Sequence, residues 1–130
     1  LGGASLYATI LIGATLVEAD LSRARVIAAM TGAKLARATL AGVDMGADRG
    51  NQPMGLMHTD LTGADLAGAD LRGANLRKAN LTRADLTGAD LTDADVAGAN
   101  LSGTILRGIK GRAAIRGLDA ARNADQAIWQ

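Results

Sequence analysis

Apolar residues in the middle of this chain fall five apart. Leucine stands at 61, 66, 71, 76, 81, 86, 91, 101 and 106, with Val96 in the one gap. Alanine precedes it by two residues at 64, 69, 74, 79, 84, 89, 94 and 99, and Thr59 and Thr104 take the end positions. On an α-helix each step of five advances about 140°, so the leucines would spiral round the cylinder and leave no apolar face. On a flat strand an odd step sends successive leucines to opposite faces. A chain that turns a corner after every five residues buries the whole series, because each leucine and its alanine then point to one axis. Units that cannot bury their own apolar face and must stack on neighbours make a solenoid. The remaining positions agree with corners: Asp or Asn before every leucine but Leu106, mostly a short polar or basic residue after it, then most often Gly. Asn, Asp and Gly are turn formers, Gly because it accepts positive φ at little cost.

The N-terminal part keeps the rule less strictly. Leu6, Leu11, Leu16, Leu21 and Val26 are five apart, with Ala4, Thr9, Ala14, Ala19 and Ala24 two before them. Met30 then arrives one residue early, and Leu35, Leu40 and Met45 continue in the shifted register. The missing residue predicts a tightened, strained corner over 26–30.

The tandem A(D/N)LxG units, unbroken over 59–109, resemble the pentapeptide-repeat proteins. The resemblance implies an all-β fold, a right-handed quadrilateral β-helix with four pentapeptides to each twenty-residue coil. For this chain that means about five coils, roughly 24 Å long at the usual strand spacing. The expected organisation is a solenoid over 1–117, with an irregular segment at 46–58, followed by a C-terminal cap helix and tail over 118–130. In 46–58, "GADRGNQPMGLMH", Asn51, Gln52 and Pro53 read as a turn. Either an irregular pair of repeats or one repeat with an extruded loop fits the spacing. Towards the C-terminus, Leu118, Ala121, Ala124 and Ile128 have helical spacing and Asp119 is a suitable N-cap. A helix over about 119–128, with Trp129 folded across the end, would close the last coil; the alternative is a homodimer interface through Leu118, Ile128 and Trp129.

Composition narrows the chemistry. In 130 residues there are no Phe, one Trp and one Tyr, so the core is thin and aliphatic. Fourteen basic against thirteen acidic residues nominate neither nucleic acid nor an anionic membrane. Without cysteine there is no disulfide, thiol nucleophile or thiolate metal site. The longest apolar run, 7–17, is shorter than the roughly 20 residues that span a bilayer and has no basic lead-in. The expectation is therefore no membrane segment and a cytoplasmic, bacterial protein, although the chain begins at Leu1, as a fragment or processed form would. His58 is the single histidine, so a histidine dyad is excluded within one chain. No phosphate-binding Gly-rich loop with Lys-Ser or Lys-Thr is present. A twenty-residue coil stacks Asp65 over Asp85 and Asp70 over Asp90; solvated turn aspartates are the reading adopted, with a cation or acid–base pair as its alternative.

No catalytic, cofactor-binding or metal-ligating residue is assigned, and no cofactor is expected. The expected function is a non-enzymatic scaffold presenting flat β walls to a partner protein, without direct nucleic-acid binding. Its contact residues are taken from the irregular segment (Arg49, Asn51, Gln52, Met54, Met57, His58) and the basic interruptions of the acidic walls (Arg72, Arg77, Lys78, Arg83). The alternative is a DNA-mimicking modulator of DNA gyrase or topoisomerase of the quinolone-resistance type, since relatives of that kind carry such loops. Against it, 59–109 holds seven aspartates but five Lys or Arg, a poor copy of a phosphate backbone. An enzyme built on the stacked aspartates is the third and weakest reading.

Overall fold

The computed structural model describes residues 1–46 and 58–130. The chain winds so that parallel β-bridges fall into four columns, which we call walls A to D. Wall A runs through Ser5, Arg25, Asp44, Asn75, Asp95 and Arg116, and wall B through Ile10, Ala29, Asp60, Asn80, Asn100 and Arg122. Wall C runs through Thr15, Lys34, Asp65, Asp85, Ile105 and Ile128, and wall D through Asp20, Thr39, Asp70, Asp90 and Lys110. The predicted stacks of Asp65 on Asp85 and Asp70 on Asp90 are therefore formed. Three walls have six rungs, one more than expected, because the C-terminal segment adds a further coil.

Each five-residue unit satisfies its own backbone. In the unit around Leu61, the Leu61 amide donates to the Asn80 carbonyl of the next coil and the Gly63 amide to Thr82. Asp60 donates back to Ala28, and Ala64 closes the corner on Leu61. The fifth amide, that of Thr62, is taken by Asp60 Oδ1 at 3.0 Å. No amide is left over in this unit, which explains the Asp or Asn that precedes every leucine from Leu61 to Leu101. Gly63 at φ 65° makes the left-handed step that turns the corner. The inward pairs pack into one continuous core: Leu61 to Leu91 and Ala64 to Ala99 are almost wholly buried at every fifth position.

Two expectations are corrected. The helix over 119–128 does not form. In its place the chain makes 3-10 turns at Arg112–Ala114, Leu118–Ala120 and Ala124–Gln126, each entered through a left-handed residue, Gly111, Gly117 or Asn123. The bridges on this last coil are six apart, at Lys110, Arg116, Arg122 and Ile128. Their amides donate to the coil above, Arg116 to Ala94, Arg122 to Ala99 and Ile128 to Thr104, so helical bonds are forgone. Six-residue sides with two inward positions give an apolar spacing of three, which imitates a helix in the sequence. Trp129 does pack on the end of the core, with the Arg112 guanidinium 4.1 Å from its ring centre.

The corner over 26–30 is not pinched. The unit simply omits its left-handed residue and runs straight as strand β2 (Arg25–Ala29), paired in parallel with β1 (Ser5–Ile10). The mismatch is absorbed one coil higher, where Ala8 bulges between Tyr7 and Thr9 with φ 55°.

Candidate functional site

The stacked aspartates are occupied structurally. Asp85 Oδ1 accepts the Thr87 amide at 2.9 Å and its hydroxyl at 2.6 Å, and Asp90 holds Thr92 in the same way. The Thr92 hydroxyl and then its amide hold the Asp90 carboxyl below its ordinary range. The Ser22 hydroxyl and amide do the same for Asp20, and the Arg72 guanidinium for Asp70. For Asp60 and Asp95 burial pushes upward, but the bonds from Thr62 and from Ala97 and Arg77 outweigh it. Among the described residues no group of three or more His, Asp or Glu side chains is placed to hold a metal ion. These carboxylates are corner locks.

The corner between walls A and B departs from the repeat in two successive coils. The first coil turns it in the ordinary five residues, Ser5 to Ile10, with Ala8 in the left-handed position, and the second lacks a residue, with Arg25 and Ala29 four apart. In the third, Asp44 pairs with Arg25 and Asp60 with Ala29, so the chain spends sixteen residues on one corner. That is eleven residues more than an ordinary corner takes; the choice between an irregular pair of repeats and one repeat with a loop falls on 47–57, outside the described residues. The shortened corner lies directly above the lengthened one. Ile27 sits at this corner, where the matching Tyr7 and Arg77 of other coils are exposed, yet it is 1% accessible and outside the leucine core.

Local contacts brace the two ends of the excursion. Asp44 forms an ion pair with Arg25, and its Oδ1 accepts Asn75 Nδ2 at 2.8 Å and the Gly46 amide at 3.1 Å. A Cβ on Gly46 would lie 2.5 Å from that Asn75 nitrogen, so only glycine fits where the chain leaves the corner. On return, the buried Thr59 hydroxyl donates to the Val26 carbonyl at 2.6 Å, on the side that has no corner turn of its own. His58 stands between two hollows. One, of about 320 Å³, is lined by Ala8, Thr9, Ile10, Ile27, Ala28, Ala29, His58 and Asp60. The other, of about 370 Å³, is lined by His58, Lys78, Asn80, Gly98 and Arg122 on wall B.

Of the residues expected to contact a partner, Arg49, Asn51, Gln52, Met54 and Met57 lie outside the described residues. Arg72, Arg77 with Lys78, and Arg83 occupy three successive corners and do not form one patch. Arg72 is folded back on Asp70, with bonds of 2.8 and 2.7 Å, and Arg77 reaches Asp95 at 3.0 Å. Lys78 and Arg83 take the left-handed corner position at φ 61° and 58°. Only His58 and Lys78 are brought together, and Arg122 joins them. Arg122 escaped the sequence because the five-residue count does not place it beneath Asn80 and Asn100; counting six from Lys110 would have. Leu118 and Trp129 meet beneath the leucine stack, while Ile128 is partly exposed on wall C. Among the described residues no helix is long and apolar enough to cross a membrane.

Four columns of short parallel bridges round an aliphatic axis define a β-solenoid of very short repeats. The sequence profile of pentapeptide repeats matches at residues 56–93 and 69–108, in eight copies, and the chain belongs to the pentapeptide-repeat family. Trypsin-treated QnrB1, a plasmid-mediated fluoroquinolone resistance protein, is similar with a TM-score of 0.58 and 19% identity. That match covers 86% of this chain and 54% of QnrB1, and shows the shared fold. The pentapeptide repeat protein Rfr23 from the cyanobacterium Cyanothece 51142 is 28% identical over 86% of this chain and 65% of its own, with a TM-score of 0.45. A pentapeptide repeat protein of the Arabidopsis thaliana thylakoid lumen is also 28% identical, over 81% of this chain and 67% of its own, again with a TM-score of 0.45. The chain thus spans from about half to two thirds of the length of these structures. No curated protein sequence matches it.

Proposed function

We propose that this chain is a non-enzymatic scaffold, a right-handed quadrilateral rod whose A/B corner and adjoining wall B dock a partner protein. The observation that carries this is the stacking of a shortened corner on a lengthened one. Elsewhere the solenoid repeats with little variation until its last coil, and departures from a regular scaffold are where recognition concentrates. The contacts of Gly46 and Thr59 fix where the chain leaves the solenoid and where it rejoins it. The test is affinity capture with the intact chain and with a variant in which 47–57 is replaced by the residues of one ordinary corner. Loss of a specific partner in the shortened, still folded variant supports the proposal. Identical partners for both chains, or none, sinks it.

A second reading, modulation of a DNA topoisomerase, draws on the acidic rungs Asp65, Asp85, Asp70 and Asp90 of walls C and D and on the fold shared with QnrB1. A gyrase supercoiling assay with and without a fluoroquinolone separates the two. Inhibition or drug protection by this protein would favour the modulator, and no effect would discard it.

A further inference from the structure

We propose that the hollow on wall B is a docking groove for an extended acidic segment of a partner protein. The inference rests on the scaffold function above and names the chemistry of what is held there. The groove of about 370 Å³ descends through four coils: His58 in the third, Lys78 and Asn80 in the fourth, Gly98 in the fifth and Arg122 in the sixth. Among the described residues no carboxylate lines it. In the fourth coil walls C and D carry Asp85 and Asp90 at the bridge position where wall B has neutral Asn80, and Asn100 repeats the substitution below. Asp119 and Asp125 lie on the corners of the last coil, outside the lining.

The two principal cations are uncommitted. Arg25, Arg37, Arg72 and Arg77 are each held by a carboxylate, whereas Lys78 and Arg122 are in no ion pair among the described residues. Gly98 keeps the floor open: a Cβ there would come within 3.0 Å of the Lys78 stem lying across it.

Spacing selects the occupant. Lys78 and Arg122 are two coils apart, about 9.6 Å at the strand repeat, so a single small oxyanion would need both side chains folded in towards each other, whereas a longer polyanion meets them extended. An extended peptide places side chains on one face about 6.6–6.8 Å apart, and the flexible Lys and Arg stems cover the remainder. Acidic residues at i and i+2 therefore meet both cations. Nucleic acid fits less well, since the lining offers no aromatic ring for base stacking.

The experiment is fluorescence anisotropy of a labelled Glu-Ser-Glu-Ser-Glu peptide on the intact chain, against the Lys counterpart, with inorganic phosphate and duplex DNA as competitors. Expected are binding of the Glu peptide that weakens with salt, and a loss of about tenfold or more in the double variant Lys78→Glu, Arg122→Glu. The charge-matched variant Arg23→Glu, Arg107→Glu, remote from the groove, should bind as the parent does. Absence of binding, equal binding of the Lys peptide, equal loss in the remote variant, or preferential displacement by phosphate or DNA would each overturn the proposal. Melting curves verify that both variants fold, and the peptide-sign comparison on the parent chain is decisive without them. Partner capture is read on the 47–57 replacement and peptide binding on the Lys78→Glu, Arg122→Glu variant, so failure of the scaffold function and failure of the groove give different results.

Discussion

Replacing Leu76 by Ala tests the inward-pair architecture where it is most tightly held. Leu76 is 1% accessible, and its amide is tied to the Asp95 carbonyl of the next coil at 2.8 Å. Above it on wall A lies Met45 and below it Val96, both buried. Removing three carbons forfeits about 0.8 kcal/mol each, roughly 2.4 kcal/mol in all. The bridges on either side stop the coils from closing up, so a cavity of order 50 Å³ remains and adds about 1.2 kcal/mol at ~24 cal/mol per Å³. The expected cost is about 3–4 kcal/mol, a large share of the ~5–15 kcal/mol that holds a typical domain together. Urea denaturation followed by circular dichroism measures it as a fall in midpoint at unchanged slope. Leu11→Ala, in a coil that covers it from one side, should cost less, and Arg72→Ala, exposed and tied only to its neighbour Asp70, should stay within about 0.5 kcal/mol. A Leu76→Ala cost below about 1 kcal/mol would refute the reasoning.

Three further outcomes are expected. Ala79→Leu places a large side chain at a fully buried site sized for one methyl and should cost about 1–3 kcal/mol by overpacking, read in the same denaturation assay. The carboxyls of Asp20, Asp60, Asp70, Asp90 and Asp95 lie below their unfolded value of 3.8, so their contribution is present above that pH and is lost as pH falls through the lower folded values. Acid titration of the melting temperature should therefore fall below pH 4, and Asp90→Asn, which keeps the acceptor but cannot titrate, should flatten that fall. Trp129→Ala removes the cover beneath Leu118 and the stack with Arg112 and should cost about 2–3 kcal/mol, against about 0.5–1 kcal/mol for Arg112→Ala.

The middle of the rod was legible because one rule governs it. Inward Leu and Ala, an acceptor before the leucine and a glycine at the corner each answer a separate physical demand at fixed spacing, and all point to the same coil. The C-terminal coil obeys the same demands with a longer side, and there the pattern misled: Leu118, Ala121 and Ala124 keep the spacing of a helix face while their backbone bonds run between coils. The omitted residue near Val26 and the eleven extra before His58 were visible as register faults. Their meeting at one corner was not, because that needs the pairing of Arg25 with Asp44 and of Ala29 with Asp60. Arg122 was hidden for the same reason, since its partnership with Lys78 exists only once the last coil is counted in sixes.

The corner locks carry a consequence for how such a rod changes over generations. In the regular middle of the rod the position before the leucine supplies Oδ1 to the amide two residues on, and Asn75, Asn80 and Asn100 do so at 3.1 Å as Asp60, Asp65 and Asp85 do at 2.9–3.0 Å. One atom of the side chain serves the fold, and the other decides whether that rung is charged. Exchange of Asp for Asn can therefore rewrite the electrostatic face of a wall, rung by rung, while the coil beneath stays as it was. Fold and surface charge are set by different atoms of the same residue, so a wall can change its charge without changing its shape.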